Sequence, residues 1–350
     1  MAQGAATAPQ APAPVPVHAA PNRPERVYSQ RHTYGALDLG TNNCRLLIAR
    51  PADEGFVVVD AFSRVVRLGE GLARSGRLSD AAMDRALRAL AVCADKLRPG
   101  RVSIARWVAT EACRRAVNGR EFVERVYRET GIALDIIAPQ EEARLAMLGC
   151  HRLLEPGDGP TLISDIGGAS TELILVDTDG HSVPRIKSWW SAPWGVVSLT
   201  ESEGRDHSGA EEHLAAYVRM RERARHAFRR FAEQLPADKK DLRLMGTSGT
   251  VTTLASVHLA LPSYDRRAID GLMVPTDSMR KISSMMSRMT LEERAGLPCI
   301  GLERADLVVA GCAILEAIMD IWPAKVLGVA DRGIREGILR SLMSRDGHKI

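Results

Sequence analysis

The sequence predicts an α/β protein built as two related halves around a cleft. Three observations lead there. The first is a repeat. "ALDLGTNNCRLLIAR" (36–50) and "LISDIGGASTELILVD" (162–177) share one shape, an apolar run that turns at Asp-x-Gly and returns. Asp38, Gly40 and Leu46 match Asp165, Gly167 and Leu173 at a constant offset, 165 − 38 = 127. The second is the alternation of short apolar runs with amphipathic helical stretches, the pattern of α/β folds. The third is length: 350 residues suffice for two cores of roughly 100–200 residues each.

The chain opens on an Ala/Pro-rich stretch, and residues 1–33 read as a disordered tail because proline at this density sustains neither helix nor sheet. The stretch lacks the apolar segment of a secretory signal. From Tyr34 the runs "YGALDLG", "RLLIAR" and "FVVVDAF" predict consecutive hairpin-linked strands. "LSDAAMDRALRALAVCADKLR" predicts a helix with Ser79 as N-cap and Met83, Leu87, Leu90, Ala91 and Ala94 on one face. "VSIARWVAT" reads as a buried strand. "REFVERVYRETG" reads as a helix ended by Gly131, and "IALDIIA" as a strand. "PQEEARLAMLGCHRLL" opens a helix with Pro139 and two carboxylates in its first turn, which suits the positive end of the helix dipole.

"EPGDGP" (155–160) is the turn-rich hinge where the domain boundary is placed, giving domains over 34–158 and 159–343 with the last helix packing back on the first. The second half repeats the strand–turn–strand. It continues with a basic helix near 210–233, the strand "LRLMGTSGT" running into a helix, the apolar helix "RADLVVAGCAILEAIMDIW", and a closing strand, turn and helix in "KVLGVADRGIREGILRSLM".

Composition excludes several classes. Apolar residues are 45% and charged residues 26%, ordinary for a globular protein. A net charge of +4 from 47 basic and 43 acidic side chains is too balanced for a general nucleic-acid coat, though it leaves room for a local basic cleft. No apolar stretch approaches the ~18 residues of a membrane helix. Six cysteines, with no CxxC pair, suit free buried thiols in a reducing, cytoplasmic setting.

Three segments offer the backbone N–H groups and hydroxyls that hold phosphate oxygens: Gly40-Thr41-Asn42-Asn43, Gly167-Gly168-Ala169-Ser170-Thr171, and Gly246-Thr247-Ser248-Gly249-Thr250. The last lies between a strand and a helix N-terminus. GxxxxGK[ST], GxGxxG after a strand, and GxSxG are all absent, which argues against P-loop, dinucleotide and α/β-hydrolase sites. Arg45 and Arg114 are candidate phosphate clamps, since the guanidinium fork binds oxyanions bidentately. Asp38, Asp165 and Glu172 are placed by register to bind Mg²⁺ or position water. One of Glu141 and Glu142 could serve as general base; plain helix N-terminal acids are the alternative.

In order, "ALDLGTNNCRLLIA", "TEACRRAVN", "IIAPQEEARLAMLG", "LISDIGGASTELILV", "MGTSGTVTTLA" and "DRGIREGIL" resemble the exopolyphosphatase / guanosine pentaphosphate phosphohydrolase family over about residues 34–343. The resemblance implies two ribonuclease-H-like domains of the actin, Hsp70 and sugar-kinase superfold. It implies Mg²⁺-dependent hydrolysis of terminal phosphoanhydride bonds in inorganic polyphosphate or pppGpp. By motif, Glu142 matches the catalytic base, and Asp165 and Glu172 the acids near the metal. Asp38, Gly40, Thr41 and Asn42 match the first phosphate loop, and Arg114 a phosphate-contacting arginine. Gly246, Ser248, Gly249 and Thr250 match the third loop. The family's "GGGST" is "GGAST" here, so the backbone at Ala169 must avoid conformations reserved for glycine. Neither a membrane nor a nucleic-acid partner is expected, and a homodimer is compatible with the chain. A kinase of the same superfold and a non-catalytic polyphosphate or nucleotide sensor are the competing functions.

Overall fold

The computed structural model describes residues 32–349 except 54, 99–100, 155–158, 179–182, 205–208 and 236–241. Most of the proposed tail and the middle of the hinge therefore lie outside the described residues. Thr33 does not belong to a tail. It is buried, its carbonyl accepts from Ser103 N at 2.8 Å, and its hydroxyl accepts from Arg50 Nε.

Two sheets form among the described residues. The first comprises β1 (Tyr34–Leu39), β2 (Asn43–Ala52), β3 (Gly55–Val65), β4 (Ile104–Ala109) and β5 (Asp135–Ile136), in the order β3-β2-β1-β4-β5. The second comprises β6 (Thr161–Ile166), β7 (Thr171–Asp177), β8 (Arg185–Ala192), β9 (Arg243–Thr247), β10 (Met273–Pro275) and β11 (Val326–Ala330), in the order β10-β11-β9-β6-β7-β8. In each half an antiparallel hairpin leads into a third antiparallel strand, and the first strand pairs in parallel with the strand that follows a helical crossover. This is the ribonuclease-H-like arrangement, present twice. The repeat extends to single hydrogen bonds. Gly40 N donates to Asn43 O at 2.9 Å, and Gly167 N donates to Ser170 O at 3.0 Å. Asp38 stands opposite Arg45, and Asp165 opposite Glu172. The predicted strand over 132–138 is shorter than its apolar run, with only Asp135 and Ile136 paired.

The helices that position the site obey the punctuation of the sequence. Helix α1 (Asp80–Lys96) is capped by Ser79, whose side chain accepts from Ala82 N. Helix α2 (Gly119–Thr130) ends at Gly131 with φ 72°. Helix α3 (Pro139–Cys150) begins on Pro139. In the second half come α4 (Val196–Glu203), α5 (Ala210–Gln234), α6 (Gly249–His258), α7 (Val308–Ile321) and α8 (Ile334–Arg345). One core lies under the first sheet against α1 and α2. A larger one surrounds α7, where Phe228 and Phe231 of α5 meet Trp322. A third is shared: Tyr34, Ala36 and Leu47 of the first sheet and Ile163, Ile174 and Val176 of the second enclose α3 and α8. These two helices cross between the sheets, and α8 packs on β1 and β2.

Their crossing depends on two glycines. A methyl carbon at Gly149 would stand 2.1 Å from Gly333 O, and one at Gly337 would stand 1.9 Å from Leu145 O. Backbone therefore meets backbone where side chains would hold the helices apart. Gly337→Ala should force α8 away from α3 at a cost of ~1–3 kcal/mol. That cost should appear as a lower urea midpoint with an unchanged slope. An unaltered midpoint would show that the contact is not under constraint.

Candidate active site

The two Asp-x-Gly turns face each other. A methyl carbon at Gly168 would lie 2.7 Å from Thr41 Cβ, so glycine is needed there for close approach. The second turn is anchored by α4: Val196 N donates to Gly167 O at 2.9 Å and Val197 N to Gly168 O at 2.7 Å. Ala169 takes the position smoothly; the non-glycine residues with positive φ among those described are Arg67, Ser248 and Ala260. Between the turns lies a cavity of about 350 Å³. Its wall includes Asp38, Gly40, Thr41, Asn42, Arg45, Glu142, Asp165, Gly167, Gly168, Ser170, Glu172, Ser248, Gly249 and Thr250. The far lip is tied across the halves by Arg67 to Asp306 at 2.9 Å and Gly71 N to Glu201 at 2.8 Å.

Three expected residues stand behind the wall. Arg114 spends its donors on Glu111 Oε2 (2.6 Å), Ile137 O (2.6 Å) and Glu142 Oε2 (3.1 Å from both Nη1 and Nη2). It holds a carboxylate in place instead of facing the cavity as a phosphate clamp. Thr171 is fully buried and its hydroxyl donates to Trp194 O. Gly246 lies within β9, where a methyl carbon would meet Val251 at 2.6 Å, so its role is packing.

The adjacent glutamates separate cleanly. Glu141 points to the surface side, bound by Arg106 at 2.6 Å and Arg144 at 2.7 Å, and hydrogen bonds from Arg144 and then Arg106 hold its carboxyl down at about 2. Glu142 is only 6% exposed. Burial, then the charges of Glu172, Asp38 and Asp165, push its carboxyl well above the usual range against the pull of Arg114. Glu172 is 1% exposed and rises to about 7 through burial and Asp165, although Ser191 and Ser170 hydrogen-bond to it. Asp165 rises to about 6, through burial and Asp38. Asp38 is raised as well, chiefly by burial, with Arg45 and Arg335 opposing.

Three polar atoms of wall residues, Asp38 Oδ1, Asn42 Oδ1 and Ser248 Oγ, are buried with no hydrogen-bond partner. Ser248 also holds φ 93° and ψ 172°, a region natural to glycine, at the N-cap of α6. Arg45 reaches across to the third loop, where a methyl carbon at Gly249 would lie 3.8 Å from its Nη2.

Sequence reasoning missed part of the wall: Tyr264, Arg304, Asp331, Arg335 and Glu336. "DRGIREGIL" was visible as a motif, but nothing in it marked which side chains turn inward. Arg304 has no local signal at all. Burial and the nearby charges of Arg335 and Arg304 depress the Arg45 guanidinium, while Asp38 and Asp165 support it. The cavity wall thus carries both carboxylates and guanidinium groups.

A cleft of two related sheets, cornered by facing glycine turns, defines the class of fold to which this chain is to be compared. The model of the Ppx/GppA phosphatase family matches residues 47–346, and the chain belongs to that family. Exopolyphosphatase 2 of Mycobacterium tuberculosis is 31% identical over 324 residues, 88% of this chain and 97% of that protein. The Ppx/GppA family member of Aquifex aeolicus, a crystal structure, is 28% identical with a TM-score of 0.74, over 91% of this chain and 99% of that one. The crystal structure of an exopolyphosphatase from Cytophaga hutchinsonii, 24% identical over 91% of this chain and 99% of that one, shares the fold at a TM-score of 0.79.

The raised acids set a pH dependence. Glu172 binds its proton more tightly folded (about 7) than unfolded (roughly 4.3), so between those values the folded state holds more protons. Its contribution is fully present below the unfolded value and is lost as pH rises through about 7, a change on the order of 3 kcal/mol. The ligand-free protein should therefore melt several degrees lower at pH 8 than Glu172→Gln does, and the two should converge as pH falls to about 4. Parallel melting curves at all pH values would contradict the assignment.

Proposed function

We propose that this protein is an exopolyphosphatase, hydrolysing the terminal phosphoanhydride bond of inorganic polyphosphate. The observation that carries this reading is the setting of Glu142: a nearly buried carboxylate, gripped by Arg114, at the wall of a cavity cornered by two facing phosphate-type turns. The family and the name of the mycobacterial relative support the substrate class. A binding protein would need the turns but not a base with raised proton affinity; a kinase would transfer phosphate to an alcohol or carboxylate.

Backbone N–H groups of the first two turns and the hydroxyl of Thr41 receive the oxygens of the terminal phosphate, while Ser170 in the second turn holds the Glu172 carboxylate beside them. Glu142 accepts a proton from a water in line with the terminal phosphorus. The new P–O bond forms from that water as the bridging P–O bond breaks, and the shortened chain leaves with its charge met by Arg45 and the third loop. Arg114 is a positioning residue, fixing the Glu142 carboxylate without touching substrate. Positioning and electrostatics supply most of the acceleration, as in phosphoryl transfer generally.

The donor set fits Mg²⁺. It is all oxygen, it includes the unpartnered Asp38 Oδ1, and its acids repel one another. Among the described residues no three such side chains gather at metal-ligand spacing. Mg²⁺ is typically held by one or two carboxylates together with substrate phosphates and water, so a sparse protein ligand set suits it. Asp165 and Glu172 would hold it. When bound, the ion would neutralise phosphate charge. Guanosine pentaphosphate presents the same linear phosphate end, and side-by-side kcat/KM values rank the two substrates. No described helix is long and apolar enough to cross a membrane; a cytoplasmic site of action is part of the proposal.

Glu142→Gln should lower kcat on polyphosphate by ~10²–10⁴ with little change in KM. Glu141→Gln should stay near wild type, because its carboxylate is committed to Arg106 and Arg144. Phosphate release assayed with Mg²⁺ checks both. An active Glu142→Gln removes Glu142 as the base.

A further inference from the structure

Beyond the catalytic cavity, the turn after α3, the segment just before α8 and the middle of α8 bring Arg152, Arg332 and Arg340 within electrostatic reach of one another, and among the described residues only Arg332 of the three is ion-paired with a carboxylate. Arg340 lies on α8 one turn past Glu336, which lines the cavity, and is itself outside that lining. Its side chain is 5% exposed, yet Nε and Nη1 are buried with no hydrogen-bond partner. Its guanidinium sits 5.6 Å from the ring centre of Phe56. Arg152, in the turn that follows α3, arrives at the same place. A methyl carbon at Gly55, next to Phe56, would stand 3.2 Å from Arg152 Nη1. Burial and the charges of Arg152 and Arg332 bring the Arg340 guanidinium down to about 10, and the same three arginines help depress His151.

Among the described residues, the carboxylates Glu336 and Asp270 are already engaged in hydrogen bonds, though the Glu336 charge supports the Arg340 guanidinium. Glu336 accepts from Arg266 Nη2 and Gly333 N, each at 3.0 Å. Asp270 accepts from Arg332 Nε at 2.7 Å and Asp331 N at 3.1 Å. A buried cation with open donors and like-charged neighbours is unfavourable unless an anion completes it. Guanidinium forks bind tetrahedral oxyanions bidentately.

We propose that Arg340 and Arg152 form a second oxyanion site, outside the catalytic cavity, that takes a phosphate group with Phe56 as its apolar floor. The bound group is orthophosphate or the end of a phosphate chain. It joins the turn after α3, the helix that carries Glu142, to α8, whose first residues line the cavity. The number of phosphate groups bound reports this site whether or not Glu142 is the catalytic base.

The test is calorimetric titration of the full chain with orthophosphate at ionic strength fixed by potassium chloride. Arg340→Met should bind one equivalent fewer than wild type. Without phosphate it should melt higher, since a buried unpaired charge is gone. Arg152→Ala, at an exposed position, should weaken one site roughly tenfold, the scale of a lost charge-assisted hydrogen bond. Titrating tripolyphosphate into Glu142→Gln protein, with and without Arg340→Met, separates the sources. An equal loss there assigns a chain end, and a loss confined to orthophosphate assigns the free ion. An unchanged number of equivalents in Arg340→Met overturns the site. If that variant does not fold, unchanged affinities in Arg152→Ala overturn it instead.

Discussion

Asp38, Glu142, Asp165 and Glu172 lie within electrostatic reach of one another, in a cleft where burial already disfavours their charged forms. Such an arrangement costs stability in the empty protein, and the rest of the molecule is organised to sustain it. The acids arrive on four backbones. Asp38 and Asp165 come from the first strands of the two sheets, Glu172 from the second strand of the second sheet, and Glu142 from the helix between them. Arg114, Ser191 and Ser170 hold the carboxylates. Arg45, Arg304 and Arg335 add opposite charge to the same cavity wall. On the proposed function, a phosphate chain with its cation would meet both signs at once, and what is unfavourable in the empty cleft would become differential stabilisation when it is filled.

Duplication explains how so specific a cluster is assembled from simple parts. The same strand–turn–strand unit supplies Asp38 and Asp165 at equivalent positions, and the position opposite each differs, Arg45 in one half and Glu172 in the other. One half therefore contributes a cation where its counterpart contributes an acid. The glycine contacts of α3 with α8 then fix how closely the shared helices cross, and with it how far Glu142 stands from both turns.

Much of this was legible in the residues, for physical reasons. Asp-x-Gly turns between apolar runs carry their own geometry, and Ser79, Gly131 and Pro139 mark helix ends by local chemistry. Residue chemistry alone does not separate the two adjacent glutamates; the motif favours Glu142, and what sets Glu141 apart in space is Arg106, from a distant strand. Arg304 and Tyr264 reach the cavity through tertiary placement alone. Ser248 occupies a glycine-like conformation although the glycine of "GTSGT" follows it. Arg114 stands out by motif and meets Glu111 locally, three residues away, but its attachment to Glu142 depends on a helix start some thirty residues along the chain. Thr33 looked like tail because its neighbours are Pro-rich, while its hydrogen bonds come from residues far along the chain.

On the proposed function, the terminal phosphate sits between the two facing turns with Glu142 poised on its water. A crystal structure of the Glu142→Gln protein soaked with a short polyphosphate and Mg²⁺ tests this most directly. The account predicts a chain end held by the Gly40 and Gly167 turns. One water should lie between the amide that replaces the Glu142 carboxylate and the terminal phosphorus, and the remaining chain should run toward Arg45 and Arg304. A chain seated elsewhere, or one lying in the cleft with its end turned away from that amide, would contradict it.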